Sequence, residues 1–207
     1  PERMQTPPRA ALGADAPASH QARRQPADAV PTLEPTPANL FTRAGAGLPG
    51  VQFSSSSLGD VNGDGTLDLV ITGNAGNDDP TATVYLGDGD GGFIDAEAGL
   101  TGVGWRVIDS SSSSSSLGDV NGDGALDLVI TGDAGFRERA RLYLGDGDGG
   151  FTDRARLTGV GRSSSSLGDV DGDGDLDLVI TGTDANFDPT ATLYLGNGAG
   201  GFADAEA

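Results

Sequence analysis

No cysteine and no lysine occur among the 207 residues, and only one histidine and one tryptophan do. Without cysteine there is no disulfide framework, zinc ribbon or thiol nucleophile. The lone His20 sits in a proline-rich stretch and reads as a solvated side chain, so imidazole chemistry has no folded residue to act through. All twelve basic residues are arginine, set against 31 acidic ones for a formal net charge of −19. A nucleic-acid partner needs a basic face, and that balance excludes one. No apolar run approaches the roughly 18 residues of a membrane span, which argues against membrane insertion. No signal-peptide pattern is visible, and the chain starts at Pro1 rather than Met, as processing or truncation would leave it. Aromatic residues make up only 5% of the chain, whereas glycine supplies 35 residues. That composition suits short strands joined by tight turns. A core so poor in large side chains is thin, and bound metal is a physical substitute for the missing burial.

Residues 1–38 hold most of the eleven prolines, show no apolar periodicity, and read as a disordered Pro-rich tail. Residues 1–43 are near neutral, with five Arg against four acidic residues, while residues 44–207 carry seven Arg against twenty-seven. Self-repulsion in the second part predicts stability that depends on divalent ions or salt.

From 39 to 207 the sequence repeats. The copies span about 54–103, 110–160 and 163–207, behind a lone strand at 39–45 that parallels Phe93–Val103 and Phe151–Val160. Each copy opens on a serine run: Ser54–Gly59, Ser110–Gly118 or Ser163–Gly168. After an acidic loop comes a β-branched run, Leu67–Gly73, Leu126–Gly132 or Leu176–Gly182. A third strand follows at Thr81–Leu86, Ala140–Leu144 or Thr190–Leu195, and a fourth opens on Phe93, Phe151 or Phe202. The expected fold class is therefore all-β. It comprises about three propeller blades of four antiparallel strands, plus one extra N-terminal strand, preceded by the tail. Serine is a poor strand former, and such runs alone would suggest flexible linkers. Their fixed place before every loop favours inner strands, where small side chains fit.

Three near-copies of one nine-residue loop carry the chemistry. Oxygen-bearing side chains fall at positions 1, 3, 5 and 9, with glycine at 4 and 6. A hard cation such as Ca²⁺ takes about six to eight oxygens at roughly 2.3–2.6 Å. The glycines permit the positive φ angles that winding around an ion needs. The expected ligands of the first loop are Asp60, Asn62, Asp64, the Thr66 carbonyl and Asp68. Those of the second are Asp119, Asn121, Asp123, the Ala125 carbonyl and Asp127; those of the third are Asp169, Asp171, Asp173, the Asp175 carbonyl and Asp177. About three Ca²⁺ ions are expected. An EF-hand would place Glu at position 12, where this chain has Ile71, Ile130 and Ile180. Mg²⁺ prefers strict octahedral sites and keeps its waters, so a cage of three or four carboxylates favours Ca²⁺. A solvated Asp/Gly turn is the plain alternative for one loop, and three in register speak against it. The turn Asp88-Gly-Asp90 repeats at Asp146-Gly-Asp148 but becomes Asn197-Gly-Ala199, which fits a hairpin turn better than a second cation site.

The run Asp-Val-Asn-Gly-Asp-Gly-x-Leu-Asp-Leu-Val-Ile-Thr-Gly, followed by Leu-Tyr-Leu-Gly-x-Gly-x-Gly-Gly-Phe, resembles the FG-GAP and VCBS repeats of integrin-like β-propellers. The resemblance covers about residues 39–207. It implies Ca²⁺ in each loop, seven blades in a usual ring, and a secreted or cell-surface protein active in adhesion, carbohydrate binding or protein binding. Three loops do not fill such a ring. Either the chain is part of a longer propeller, or copies self-associate through open blade edges. No enzyme is expected, because there is no Gly-x-Ser-x-Gly elbow, the serines lack a base, and the clustered carboxylates belong to the loops.

The expected function is a non-catalytic calcium-binding propeller segment that presents loops to a glycan or an extracellular protein. Purely structural spacer repeats, or an accessory domain of a carbohydrate-active enzyme, are the alternatives. The variable connections Asn74–Pro80, Asp133–Arg139 and Thr183–Pro189 are the expected ligand surface. Trp105, in the insertion Gly102–Asp109, either stacks on a sugar or wedges between blades.

Overall fold

Strands and turns alone make up the described residues of the computed structural model, which are 47–76, 79–104, 112–133 and 138–205. The tail at 1–38, the lone strand at 39–45, His20, Trp105 and parts of two variable connections lie outside them. No helix among the described residues is long and apolar enough to cross a membrane.

The first repeat is a four-stranded antiparallel sheet in sequence order: β1 (Gln52–Gly59), β2 (Asp68–Asn74), β3 (Pro80–Gly87) and β4 (Phe93–Asp95). The other two repeats share one seven-stranded antiparallel sheet. Its strands are β5 (Ser114–Gly118), β6 (Asp127–Asp133), β7 (Glu138–Gly145), β8 (Phe151–Gly168), β9 (Asp177–Thr183), β10 (Pro189–Gly196) and β11 (Phe202–Asp204). The sheets do not close on one another.

The strands β2, β6 and β9 carry the Leu-Val-Ile-Thr runs. Alternate side chains of a strand point to opposite faces, and here both faces of the middle repeat are covered. Val61, Val70, Val84 and Val103 of the first repeat pack against Leu128, Ile130 and Tyr143 of the second. Val120, Val129, Leu142 and Val160 of the second pack in the same way against Leu178, Ile180 and Tyr194 of the third. Burial on both faces explains why the β6 run is continuously apolar rather than alternating, whereas the same run in β9 leaves Thr181 exposed. The tyrosine hydroxyls are not orphaned: Tyr143 accepts from the Thr101 N–H at 3.1 Å and Tyr194 from the Thr158 N–H at 3.3 Å.

β8 departs from the sequence expectation, in which the segment opening at Phe151 and the serine run Ser163–Gly168 are separate strands. Residues 151–160 pair with β7, and 161–168 pair with β9. The two pairings meet at Val160 and Gly161, so no unpaired segment separates them to form a loop. The strand bends instead, with a positive φ of 49° at Arg162 and a register slip between Gly161 and Ser164. Phe53 (φ 54°) marks the same bend in β1, where the register slips between Gln52 and Ser55.

Ser54–Gly59, Ser114–Gly118 and Ser163–Gly168 lie in β1, β5 and β8, so these parts of the serine runs are strands rather than linkers. Their hydroxyls find partners on the next repeat. Ser57 Oγ lies 2.8 Å from Ser115 Oγ, and Ser116 Oγ lies 2.8 Å from Ser165 Oγ. Thr72 donates to Ser113 Oγ at 2.9 Å, and Thr131 donates to Ser163 Oγ at 2.7 Å. Small side chains let these strands approach closely, and each buried hydroxyl that is paired avoids a penalty of about 1–3 kcal/mol.

Candidate metal centre

Each acidic loop is wound around its first aspartate. Asp60 Oδ1 accepts from the Gly63 and Asp64 N–H groups at 2.8 and 3.2 Å, and its Oδ2 accepts from Gly65 at 2.9 Å. Asp119 repeats the pattern with Gly122, Asp123 and Gly124. Asp169 does so with Gly172 at 2.7 Å and Gly174 at 3.1 Å. Such winding places residues 4 and 6 at positive φ; in the first loop Gly63 is at 73° and Gly65 at 85°. Glycine reaches that region without a Cβ penalty.

The fifth-position aspartates face the next turn of the loop. Asp64 accepts from the Thr66 hydroxyl at 2.6 Å and the Thr66 N–H at 2.8 Å, which with Asn62 hold its carboxyl below the usual range. Asp123 is lowered by the Ala125 N–H and by Asn121.

The ninth aspartate opens β2, β6 or β9 and is buried. Asp68 accepts from the Val61 N–H on one oxygen and from the Gly87 N–H, at the end of β3, on the other, both at 2.8 Å. Asp127 binds Val120 and Gly145 in the same way, and Asp177 binds Val170 and Gly196. A carboxylate has about four lone-pair sites, so two such bonds leave room for a cation. The third-strand glycines were not legible as site residues from the sequence. A Cβ at Gly87 would lie 2.2 Å from the Leu67 carbonyl, and Gly145 and Gly196 are equally tight against Leu126 and Leu176. Glycine there lets the strand end reach the loop and donate. The only sequence signal is the Leu-Gly pair that ends every third strand.

Surroundings push two of the ninth aspartates in opposite directions. Burial raises Asp127, with the charges of Asp123 and Asp119 adding to it. Asp177 is lowered by the Gly196 and Val170 N–H groups.

Among the described residues one triad, Asp169, Asp171 and Asp177, brings carboxylate oxygens within 4.8 Å of one another. Two oxygens on one ion at roughly 2.3–2.6 Å are at most about 5 Å apart, so the triad fits a hard divalent cation. Asp173 of the same loop stands outside it. In the other two loops Asn62 and Asn121 take the place of Asp171, which leaves one carboxylate fewer at the same positions. Between the first and second loops lies a cleft of about 420 Å³, edged by Asp60, Asp123 and Asp146.

The Asp88 and Asp146 turns are hairpin turns. Asp88 Oδ1 accepts from Asp90 and Gly92 at 2.9 and 2.8 Å, and Asn197 Oδ1 makes the equivalent pair at 3.0 Å with Ala199 and Gly201. An amide oxygen does this work as well as a carboxylate, so the turn needs no ion.

Comparison with curated proteins finds no match. The FG-GAP-like repeat pattern, in contrast, matches residues 60–130 and 119–180, each match running from one acidic loop into the strand beyond the next. Together these matches cover more than half of the chain, and the protein belongs to the FG-GAP-like repeat family.

Proposed function

We propose that the repeats are blades of a β-propeller and that the chain is a calcium-binding, non-catalytic segment of a secreted or cell-surface protein. It serves as a scaffold for adhesion or for binding a glycan or a protein. The observation that carries this reading is the Asp169–Asp171–Asp177 triad, set in a loop that the chain repeats three times. Asp169, Asp171, Asp173, the Asp175 carbonyl and Asp177 would hold one ion. Asp60, Asn62, Asp64, the Thr66 carbonyl and Asp68 would hold a second. Asp119, Asn121, Asp123, the Ala125 carbonyl and Asp127 would hold a third. Bound Ca²⁺ supplies positive charge where carboxylates crowd. The chain's own residues do the rest: the first aspartate holds each loop wound on itself, and the ninth ties the start of the loop to the end of the third strand, through backbone N–H groups.

A non-catalytic role agrees with the absence of His, Cys and Lys from residues 39–207. The variable connections between second and third strands remain the proposed ligand surface, since they differ in sequence on a repeated scaffold. Circular-dichroism melts in EDTA and in a few millimolar CaCl₂, at matched ionic strength, test the metal reading. A melt that moves upward with Ca²⁺ supports it, with each millimolar-range site adding about 1 kcal/mol by mass action. Identical melts would make the loops ordinary turns. A glycan array on calcium-loaded protein tests the binding role, and a blank array turns the reading towards a spacer.

A further inference from the structure

The contact between the first and second repeats recurs between the second and third, side chain for side chain. Leu117 and Leu126 of the second repeat sit on Gly59 of the first, where a Cβ would lie 3.0 and 2.7 Å from their Cδ1 atoms. Leu167 and Leu176 of the third sit on Gly118 of the second, at 3.0 and 2.8 Å. Each repeat thus offers a leucine pair to the repeat before it and a glycine seat to the repeat after it.

Among the described residues, one leucine pair and one seat are left over. Leu58 and Leu67 of the first repeat are 60% and 59% exposed, and nothing lies within 4 Å of the Cβ position of Gly168 in the third. Val61 and Val120 are buried beneath the following repeat, while Val170, their counterpart, is 56% exposed.

The polar contacts are left over in the same way. Ser55 and Ser57 bond to Ser115, and Ser114 and Ser116 bond to Ser165. Ser164 and Ser166 stand exposed on the third repeat, and Ser56, the counterpart of Ser115 and Ser165, stands exposed on the first. The two open faces are therefore complementary halves of an interface the chain already builds twice.

We infer that a second copy of this chain docks head to tail, its Leu58–Leu67 face on the Gly168–Val170 face, and that two copies close on each other. A heterologous contact of this kind makes a ring when its rotation closes. Two copies would bring six repeats together, within the range of about four to eight known for propellers. The docking rests on contacts between repeats and not on bound metal.

The test is sedimentation velocity on the full 207-residue chain in CaCl₂, with two variants. Leu58→Asp/Leu67→Asp spoils one face, and Gly168→Leu fills the other. Both changes fall on open surface, and unchanged circular dichroism verifies that each variant folds. The wild type is expected at twice its 20.7 kDa chain mass, and each variant alone at the single mass. An equimolar mixture of the two variants is expected to restore a two-chain species, because one keeps the leucines and the other keeps the seat. A wild type that stays monomeric up to its highest soluble concentration overturns the inference. So does a variant that still pairs, a mixture that does not, or open-ended polymer growth.

Discussion

Asp169, Asp171 and Asp177 converge within 4.8 Å in the third loop, whereas the first and second loops place Asn62 and Asn121 where Asp171 stands. Ligand charge count is a main control on Ca²⁺ affinity in oxygen cages. The third loop should therefore bind most tightly. Asp171→Asn should weaken it by about tenfold, or about 1.4 kcal/mol, and Asn62→Asp should strengthen the first loop by a similar factor. Calorimetric titration of the single variants checks this, and affinities that ignore both changes would remove the charge argument.

Asp184 lies outside the loops and gives a pH prediction free of metal. Its carboxylate accepts from the Asp188 and Asn186 N–H groups, which hold it below the ordinary 3.8. A folded value below the unfolded one means stabilisation that is present above 3.8 and is lost as pH falls through the depressed folded value. Asp184→Ala should melt below the wild type at neutral pH, and the gap should close in strong acid. A gap that persists there would trace the effect to packing.

β7 ends at Gly145, which donates to Asp127 while its bare Cα lets the Leu126 carbonyl come close. Gly145→Ala would put a Cβ 2.3 Å from that carbonyl, so strand end and loop must separate. The expected loss is about 2–3 kcal/mol in chemical denaturation, from overpacking and a broken bond to a buried carboxylate, with weaker metal binding in the second loop alone. A second pair of variants isolates the hydroxyl ladder between repeats. Thr131→Val deprives buried Ser163 of its partner at 2.7 Å and should cost about 1–2 kcal/mol. Thr181, the matching residue of the third repeat, is exposed in the single chain, and at concentrations where the chain is monomeric Thr181→Val should change stability by less than about 0.5 kcal/mol.

These elements also mark what a sequence can disclose. The β-branched runs and the acidic loops were legible because both rest on local rules, strand preference and oxygen spacing around glycines. The segment opening at Phe151 and the serine run Ser163–Gly168 read as separate strands, yet the chain bends between them without leaving the strand, because pairing on both sides holds it extended. The serine ladder depends on a neighbouring repeat, which propensity does not register. The glycine donors to Asp68, Asp127 and Asp177 carry no side chain to announce them.

At the scale of the whole molecule, a net charge of −19 opposes folding unless it is screened or neutralised. Arg141, mostly buried, pairs with Asp153, but seven Arg in residues 44–207 cannot balance twenty-seven acidic residues. Screening acts on all of them at once, with a Debye length of about 10 Å at 0.1 M salt and about 3 Å at 1 M. In EDTA, Tm should therefore climb steeply with NaCl. Three Ca²⁺ ions would offset six charges, and they would do so where carboxylates lie closest and screening helps least. The slope of Tm against log NaCl should be shallower in saturating CaCl₂ than in EDTA, and Mg²⁺ at equal ionic strength should fall between the two. Parallel lines in all three buffers would mean that divalent ions act only as added ionic strength, and the loops would lose their part in holding the fold.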